Sequence, residues 1–287
     1  MSFGIALSGG GTRGAAHVGV LRALDEFGMV PGSISGTSAG SIAAGLYSLG
    51  KSPKELEEIV DYLSENGSYM IDADYMGLLK SISQFFNHKT VTFSGLIKGN
   101  RLENYLFYLT EGKSIKDVNI KTIITAVDLY SGQTIAYINS LHGVKQIRNV
   151  QWETDVKLCT AMRASSAVPA VFQPKTVDNM CLVDGGVANV LPVNLLIAAG
   201  ETNVLAVDLS EEYHVSECNN IIEISSHSLS IMSRRLSECI TSGEKLLLRP
   251  SLPEKAGLLT FKYMKECMAA GYEATKALMP TIKKIFG

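Results

Sequence analysis

Residues 3–28 read FGIALSGGGTRGAAHVGVLRALDEFG. Phe3–Leu7 is a short apolar run, which predicts a buried strand. A glycine cluster follows, and apolar residues then recur at helical spacing over Thr12–Phe27 until Gly28 ends the pattern. A strand, a glycine loop and a helix in this order begin a βαβ unit, so this stretch favours a layered α/β fold.

The rest of the chain continues the alternation of strands and helices. The pattern predicts further strands at residues 122–127, 134–138, 180–183, 203–207 and 246–248, whereas residues 33–35 form a short link that is poorly marked as a strand. It predicts further helices at residues 41–49, 53–63, 75–86, 102–109, 221–240 and 261–286. Strands that alternate with helices are typical of a parallel sheet, because parallel strands need crossover connections.

Composition excludes several classes of protein. Hydrophobic residues make up 46% of the 287 residues and charged residues 19%, which suffices for a large core and excludes disorder. The net charge of −2 provides no basic field for nucleic acid. No apolar run reaches the roughly 18 residues that span a bilayer. The first residues carry no basic region, so we expect no signal peptide and a cytoplasmic location.

Cysteine and metal-ligand spacing point to reduced thiols without a metal site. The five cysteines are widely spaced and include no C-x-x-C pair. An odd number of separated thiols fits a cytosolic protein better than a disulfide framework. No cluster of His, Cys or carboxylate residues has metal-ligand spacing, so no metal is predicted.

The glycine cluster GGGTRG at residues 9–14 is the first candidate site. It matches G-x-G-x-x-G, and free N–H groups at such a helix start bind either a pyrophosphate or the oxyanion of a tetrahedral intermediate. A dinucleotide site needs an acidic residue about 20 positions further on. Asp25 and Glu26 lie within the predicted helix instead, and Ser-Gly-Thr-Ser follows Ile34. The missing carboxylate argues against a dinucleotide, although a nucleotide-binding enzyme stays open as an alternative.

The stretch GTSAG at residues 36–40 is the second candidate site. In a nucleophile elbow the serine occupies a strained strand-to-helix turn, and the flanking glycines remove side chains that would clash. A helix is predicted directly after it, whereas Ile34 is the only apolar residue of the preceding Ser33–Ser35. The motif points to Ser38 as a nucleophile, and an ordinary Gly-Ser turn is the alternative.

The stretch DGG at residues 184–186 is the third candidate site, and it follows a predicted strand. Open α/β sheets place functional groups at the carboxyl ends of strands, which makes Asp184 a candidate acid. An Asp-Gly hairpin turn explains the same letters. Asp128 and Asp208 also end predicted strands and are rival acids.

In this order, the three motifs resemble those of the patatin-like phospholipase family. Three further stretches look like the family: RASSAVP at residues 163–169, AVDL at 126–129 and VANVLPV at 187–193. The resemblance covers residues 3–209 and extends loosely to 271–272. It implies a three-layer α/β/α fold with a mostly parallel central sheet and a helical lid-like insertion. One domain would span residues 1–287, with 210–287 as a helical extension on the core.

The resemblance also implies a serine hydrolase of lipid acyl esters, of the phospholipase A, lysophospholipase or esterase type. Ser38 would be the nucleophile and Asp184 its base. Backbone N–H groups of Gly10, Gly11 and Thr12 would form the oxyanion hole, with Arg13 nearby. The remaining motif positions are Gly9, Gly14, Gly36, Gly40, Gly185 and Gly186. The implied partner is a lipid or acyl ester, without cofactor or nucleic acid.

Histidines raise the alternative of a Ser-Asp-His triad. In the order of an α/β-hydrolase the histidine would be His214 or His227, but both lie in polar surroundings that favour a surface position. His17 is one turn past Arg13, where we expect a packed or hydrogen-bonded core residue. A catalytically idle lipid-binding protein is a further alternative, against which the presence of Ser38 and Asp184 argues.

The aromatic-rich residues 69–109 allow two interpretations. They could form a lid or a wall for an acyl chain, with transient contact to a membrane surface. The interpretation that we favour is that their helices pack into the core. In the predicted helix at 75–86 one face carries Tyr75, Leu78, Leu79, Ile82, Phe85 and Phe86.

Overall fold

The computed structural model describes residues 2–87, 90, 92, 94–210, 224, 228, 231–236 and 243–287. The strands are β1 (Gly4–Leu7), β2 (Ser33–Thr37), β3 (Lys121–Asp128), β4 (Thr134–Ile138), β5 (Val150–Glu153), β6 (Lys175–Val177), β7 (Met180–Asp184), β8 (Val204–Val207) and β9 (Leu246–Leu248). The helices are α1 (Ala15–Glu26), α2 (Ala39–Ser48), α3 (Pro53–Asn66), α4 (Tyr75–Phe86), α5 (Asn100–Thr110), α6 (Leu158–Ser165), α7 (Val193–Ala198) and α8 (Met264–Phe286).

The strands form one mixed sheet that is mostly parallel. Their order is β5-β4-β3-β2-β1-β8-β9, and β7 pairs with both β3 and β6. Parallel pairs join β1 to β2 and β8, β2 to β3, β8 to β9 and β4 to β5. Antiparallel pairs join β3 to β4 and β7, and β6 to β7. The predicted mostly parallel sheet is confirmed.

Helices cover both faces of the sheet because its central strands are apolar on both sides. Ile5 and Leu7 of β1 pack into a cluster with α1, α3 and α8, whereas Ala6 between them packs into a cluster with α7. In β3 the same alternation sends Ile124 towards α5 and α6 and Ile123 towards α7. Since successive side chains of a strand point to opposite faces, the apolar runs predict burial on both sides.

Most predicted elements lie where the sequence placed them. Helix α4 has the predicted bounds, and the weakly marked residues 33–35 belong to the buried strand β2. The sequence analysis missed β5, β6, α6 and α7, which are short. Most of the helix predicted over 221–240 lies outside the described residues. Within that range, the described residues 231–236 are helical. Among the described helices, none is long and apolar enough to cross a membrane.

One expectation about α4 is wrong. Its large apolar side chains do not pack into the core: Tyr75, Met76, Phe85 and Phe86 are between 70% and 76% exposed. Among the side chains of this helix that the structure describes, the buried one is the small Ser81. The helix therefore rests on a narrow small-residue face and presents its apolar face outward.

The longest helix, α8, is held against α1 by glycines at the crossing. A Cβ on Gly271 would overlap the carbonyl of Ala16, and a Cβ on Gly19 would overlap the carbonyl of Met268. The two backbones therefore approach more closely than any side chain allows, and the rigid carbonyls cannot move aside without shifting a helix.

We expect Gly271→Ala to destabilise the protein by about 1–3 kcal/mol or more, since overpacking at a backbone contact forces the helices apart. Gly257→Ala is the matched control, because a Cβ there meets Thr260 atoms at an ordinary 3.9 Å. Urea unfolding of both variants measures the difference. Equal midpoints would show that the crossing tolerates a methyl group.

Candidate active site

Ser38 occupies a strained turn between β2 and α2. Its backbone angles are φ 54° and ψ −123°, a region that non-glycine residues rarely adopt. A Cβ on Gly36 would overlap the carbonyl of Gly40, and a Cβ on Gly40 would lie 2.5 Å from the carbonyl oxygens of Leu7 and Ser8. The two glycines are therefore required by close backbone approach, as the elbow motif predicts.

Strand register brings Asp184 to the end of β2. Thr37, the last residue of β2, pairs with Thr125 of β3. The next residue of β3, Ala126, pairs with Asp184 of the antiparallel β7. On its other side, β3 is already paired with β4 at this position. β7 therefore pairs with β3 on the same side as β2, just beyond the end of β2. Asp184 thus lies directly beyond the strand that ends before Ser38.

The Asp184 carboxyl group is buried, and one of its two oxygens has a hydrogen-bond partner. Its Oδ1 accepts a hydrogen bond of 2.7 Å from the Gly186 N–H, while Oδ2 is buried without a partner within hydrogen-bond distance. Burial raises the pKa of this carboxyl group to about 6, against the lowering effects of the Ser38 hydroxyl and the Gly186 N–H. The group interacting with Ser38 is therefore a carboxylate of unusually high proton affinity.

The glycine loop lies beside the nucleophile elbow. It connects β1 to α1, and a Cβ on Gly9 would lie 3.3 Å from the Cβ of Ser38. A Cβ on Gly14 would overlap the Cβ of Ala39, the residue that follows Ser38. The loop can approach the elbow this closely only because these positions lack side chains.

The structure corrects the predicted set of loop donors. The Thr12 N–H donates to the Leu258 carbonyl at 3.0 Å, and the Arg13 N–H donates to the Gly10 carbonyl at 3.2 Å. Thr12 therefore cannot supply a backbone donor to a substrate in this conformation. The Arg13 side chain also holds the loop, since its Nε donates to the same Gly10 carbonyl at 3.2 Å. Of the backbone donors predicted for an oxyanion hole, those of Gly10 and Gly11 stay predictions.

Neither of the two histidines that the structure describes is placed to act as a base for Ser38. His17 is fully buried, its Nε2 lies 2.8 Å from the Ser8 carbonyl, and burial lowers its pKa to about 4. It is a neutral core residue that donates to the start of the glycine loop, as expected. His142 is exposed. Three others lie outside the described residues: His88, His214 and His227.

The rival acids are bound elsewhere. Asp128 accepts hydrogen bonds from Ser131 and from the Cys181 N–H, and these outweigh burial and lower its pKa. Asp208 lies 3.0 Å from Nε of Arg249. Both carboxylates order local structure, whereas Asp184 keeps an oxygen unpartnered beside Ser38.

The RASSAVP stretch supplies two supporting residues. The Ser165 hydroxyl accepts the Ser38 N–H at 2.8 Å and thereby fixes the elbow backbone. Arg163 is buried and donates to the carbonyls of Lys98, Gly99 and Gln173. In the sequence this stretch stands out only by its likeness to the family, which does not indicate these contacts. The quoted motif itself was the signal for both residues.

An apolar cavity of about 160 Å³ opens at Ser38. Its walls come from the glycine loop, α1, α2, α3, α5, α8 and short segments at residues 70–71, 166–172 and 258–261. Along α2 the lining residues are Ala39, Ile42, Ala43 and Leu46, which lead away from the nucleophile. The cavity is suited to an alkyl chain rather than to a charged ligand.

Thiols and metal ligands offer no second centre among the described residues. Cys159, Cys181 and Cys267 are free, and Cys218 and Cys239 lie outside the described residues. Within the described ranges no group of three or more His, Cys, Asp or Glu residues could hold a metal ion.

The family model for Patatin-like phospholipase matches residues 5–197, which is more than half of the chain. The chain belongs to the patatin-like phospholipase family. It is 26% identical over 212 residues to an uncharacterized NTE family protein of Mycobacterium tuberculosis, covering 74% of this chain and 31% of that relative. It is 26% identical over 209 residues to the lysophospholipase NTE1 of Mycosarcoma maydis, covering 73% of this chain and 10% of that protein. The chain thus spans a third or less of these relatives.

Solved structures share the fold of this patatin-like chain at low identity. VipD from Legionella pneumophila superposes with a TM-score of 0.52 at 12% identity, over 98% of this chain and 67% of VipD. Human GIVD cytosolic phospholipase A2, in complex with a fluorophosphonate inhibitor, superposes with a TM-score of 0.50 at 11% identity, over 99% of this chain and 59% of the enzyme. The agreement supports the three-layer patatin-like architecture.

We expect Asp184→Asn to stabilise the protein at about pH 8. The raised pKa means that the folded state holds the proton more tightly than the unfolded state, so stability falls as pH rises from 3.8 to about 6 and stays lower above. Asparagine is neutral at every pH and avoids this cost, which is about 2–3 kcal/mol for a shift of this size.

Urea unfolding at about pH 4 and pH 8 tests this expectation. The stabilising effect of the variant should shrink at the lower pH, where Asp184 itself becomes protonated. A variant that is equally destabilised at both pH values would contradict the buried-carboxylate assignment.

Proposed function

We propose that the protein is a serine hydrolase that cleaves lipid acyl esters through a dyad of Ser38 and Asp184. The observation that carries the proposal is the unpartnered, buried carboxyl oxygen of Asp184 beside a serine in an elbow conformation. A nucleophile next to a base of raised pKa, at the mouth of an apolar cavity, suits acyl transfer from a lipid.

In the first half-reaction the Ser38 hydroxyl oxygen attacks the ester carbonyl carbon and its proton passes to Asp184. The N–H groups of Gly10 and Gly11 stabilise the resulting oxyanion, and each such donor is worth roughly 3 kcal/mol in well-studied enzymes. The C–O bond to the alcohol then breaks, and Asp184 returns the proton to the leaving alkoxide. An acyl-Ser38 ester remains.

In the second half-reaction Asp184 accepts a proton from water as the water oxygen attacks the acyl carbon. Collapse of this second intermediate frees the fatty acid and returns the proton to Ser38. A pKa near 6 suits both steps, because the carboxyl group is ionised at neutral pH yet holds a proton well enough to deliver it.

The alternatives lack support from the described geometry. A nucleotide-binding enzyme would need an open phosphate site, but the glycine loop faces the elbow and an apolar cavity. Lipid binding alone does not require a strained serine next to a destabilised carboxylate, so the site argues against a catalytically idle lipid-binding protein.

Ser38→Ala should reduce hydrolysis of a p-nitrophenyl ester by more than a hundredfold, since removing a nucleophile leaves little residual catalysis. Labelling by a fluorophosphonate should disappear in parallel, because the probe forms its bond to the same oxygen. Ser48→Ala is the matched control: Ser48 is buried at the far end of α2, the helix that follows Ser38, and donates to the Gly45 carbonyl. Full labelling of Ser38→Ala would refute the nucleophile assignment.

The proposal places the acyl chain in the apolar cavity. Ala43 and Leu46 lie five and eight residues after Ser38, which corresponds to roughly 7 and 12 Å along a helix. Ala43→Leu fills the middle of this path, whereas Leu46→Ala opens its far part.

We therefore expect Ala43→Leu to lower the rate ratio of a dodecanoyl to an acetyl ester by roughly tenfold, since a lost apolar contact of this size costs about 1–2 kcal/mol. Leu46→Ala should leave that ratio equal or higher. Rates are normalised to the fraction of protein that a fluorophosphonate labels. If both variants keep the native ratio, the acyl chain lies elsewhere.

A further inference from the structure

Helix α4 turns its apolar face away from the protein. Of its described side chains Ser81 is the buried one, and its hydroxyl donates to the carbonyl of Gly77, one turn earlier on the helix. Leu79 is 61% exposed, and the aromatic residues at both ends of the helix are more exposed still. An amphipathic helix normally buries its apolar face in the core. An exposed apolar face therefore indicates contact with an apolar surface outside the protein.

Two chain segments, residues 70–74 and 96–99, connect the helix to the rest of the protein, and together we call them the neck. Backbone N–H groups of Asp74 and Lys98 donate across it to the carbonyls of Leu96 and Asp72, at 2.8 and 3.0 Å. The Asp72 carboxylate accepts the Gly99 N–H at 2.7 Å. The neck thus has a fixed conformation on both chain segments.

The neck is also fastened to the cavity wall. Buried Arg163 donates to the Lys98 and Gly99 carbonyls at its base. The Ile97 N–H donates to the Val171 carbonyl at 2.9 Å, next to the cavity-lining Phe172. Met70 and Ile71, at the start of the neck, line the cavity themselves. The neck that carries α4 is therefore part of the cavity wall.

The segment that carries α4 is basic, although the whole chain has a net charge of −2. Residues 75–102 contain no Asp or Glu and four basic residues: Lys80, Lys89, Lys98 and Arg101. One of them is neutralised, since Lys98 lies 3.4 Å from Asp74. Lys80 is exposed on α4 itself. Exposed apolar side chains flanked by cationic ones are complementary to an anionic lipid interface.

We propose that α4 docks onto an anionic lipid surface, with its apolar face inserted at the headgroup level and the neck holding the cavity beside that surface. The docking deepens the proposed function, because it delivers ester lipids to Ser38. The binding itself does not require catalysis. A helix lying in the interface also needs no membrane-spanning segment.

Sedimentation with vesicles tests the docking. The inactive Ser38→Ala protein prevents hydrolysis of the vesicles, which consist of either phosphatidylcholine or an equimolar mixture with phosphatidylglycerol. We expect the protein to bind the mixed vesicles, and Leu79→Ser/Phe86→Ser in the same background to bind at least tenfold more weakly, since two large apolar groups leave the interface. Lys80→Glu should weaken binding to the mixed vesicles roughly tenfold and leave phosphatidylcholine binding unchanged.

The matched control is Phe27→Ser/Val30→Ser, which removes two exposed apolar side chains that precede β2, at the edge opposite Ser38. This control should bind vesicles as the parent does. Binding that is absent from the parent, or equal in parent and Leu79→Ser/Phe86→Ser, would overturn the docking. Concentration-dependent self-association that Leu79→Ser/Phe86→Ser abolishes would also overturn it, because the face would then be covered by a second copy of the chain.

Activity separates this proposal from the proposed function. In the catalytically intact protein, Leu79→Ser/Phe86→Ser should hydrolyse a soluble acetyl ester at the native rate but lose at least tenfold on vesicle lipid. Loss on both substrates would place α4 in the fold rather than at an interface. If the intact protein hydrolyses no ester but the Ser38→Ala protein binds vesicles, the docking stands and the enzymatic proposal fails.

Discussion

The placement of β7 beyond the end of β2 is the constraint on which the geometry of the candidate site depends. The two strands share one side of β3, with Thr37 opposite Thr125 and Asp184 opposite Ala126. Hydrogen-bond register leaves no freedom in this arrangement, because a slip by one residue would turn the Asp184 side chain to the other face of the sheet. The carboxyl group consequently reaches Ser38 without support from any histidine in the described part of the chain.

This arrangement is costly to the folded state. A non-glycine residue with positive φ and a buried carboxyl group with one oxygen unpartnered each destabilise the protein, and the site contains both. The surrounding structure holds them in place: Ser165 binds the Ser38 N–H, and His17 binds the carbonyl that begins the glycine loop. Burial of the apolar clusters on both faces of the sheet stabilises the folded state and offsets the cost of this site.

The cavity and α4 are connected through the neck, because Met70 and Ile71 at its start line the cavity. The cavity runs into the apolar layer between α2, α3 and α8, where a single alkyl chain would be shielded from water. Helix α4 faces outward from a neck that forms part of the same wall. A lipid that leaves a bilayer for this cavity would meet apolar surface along its path, which lowers the cost of exposing its chain to water.

The sequence by itself determined the local chemistry: the elbow around Ser38, the glycine loop, the position of Asp184 after a strand, and the bounds of α4. These features are local, since glycines at close backbone approach and apolar periodicity leave their mark within a few residues. Only the tertiary structure decided that β7 is antiparallel and directs Asp184 rather than Asp128 or Asp208 to the serine. It also decided that Leu258 occupies the Thr12 N–H and that the apolar face of α4 is exposed. Each of these depends on contacts between distant parts of the chain. The direction of a strand, the occupation of an N–H donor and the burial of a helix face depend on which segments meet in the fold, and local sequence spacing does not identify those segments.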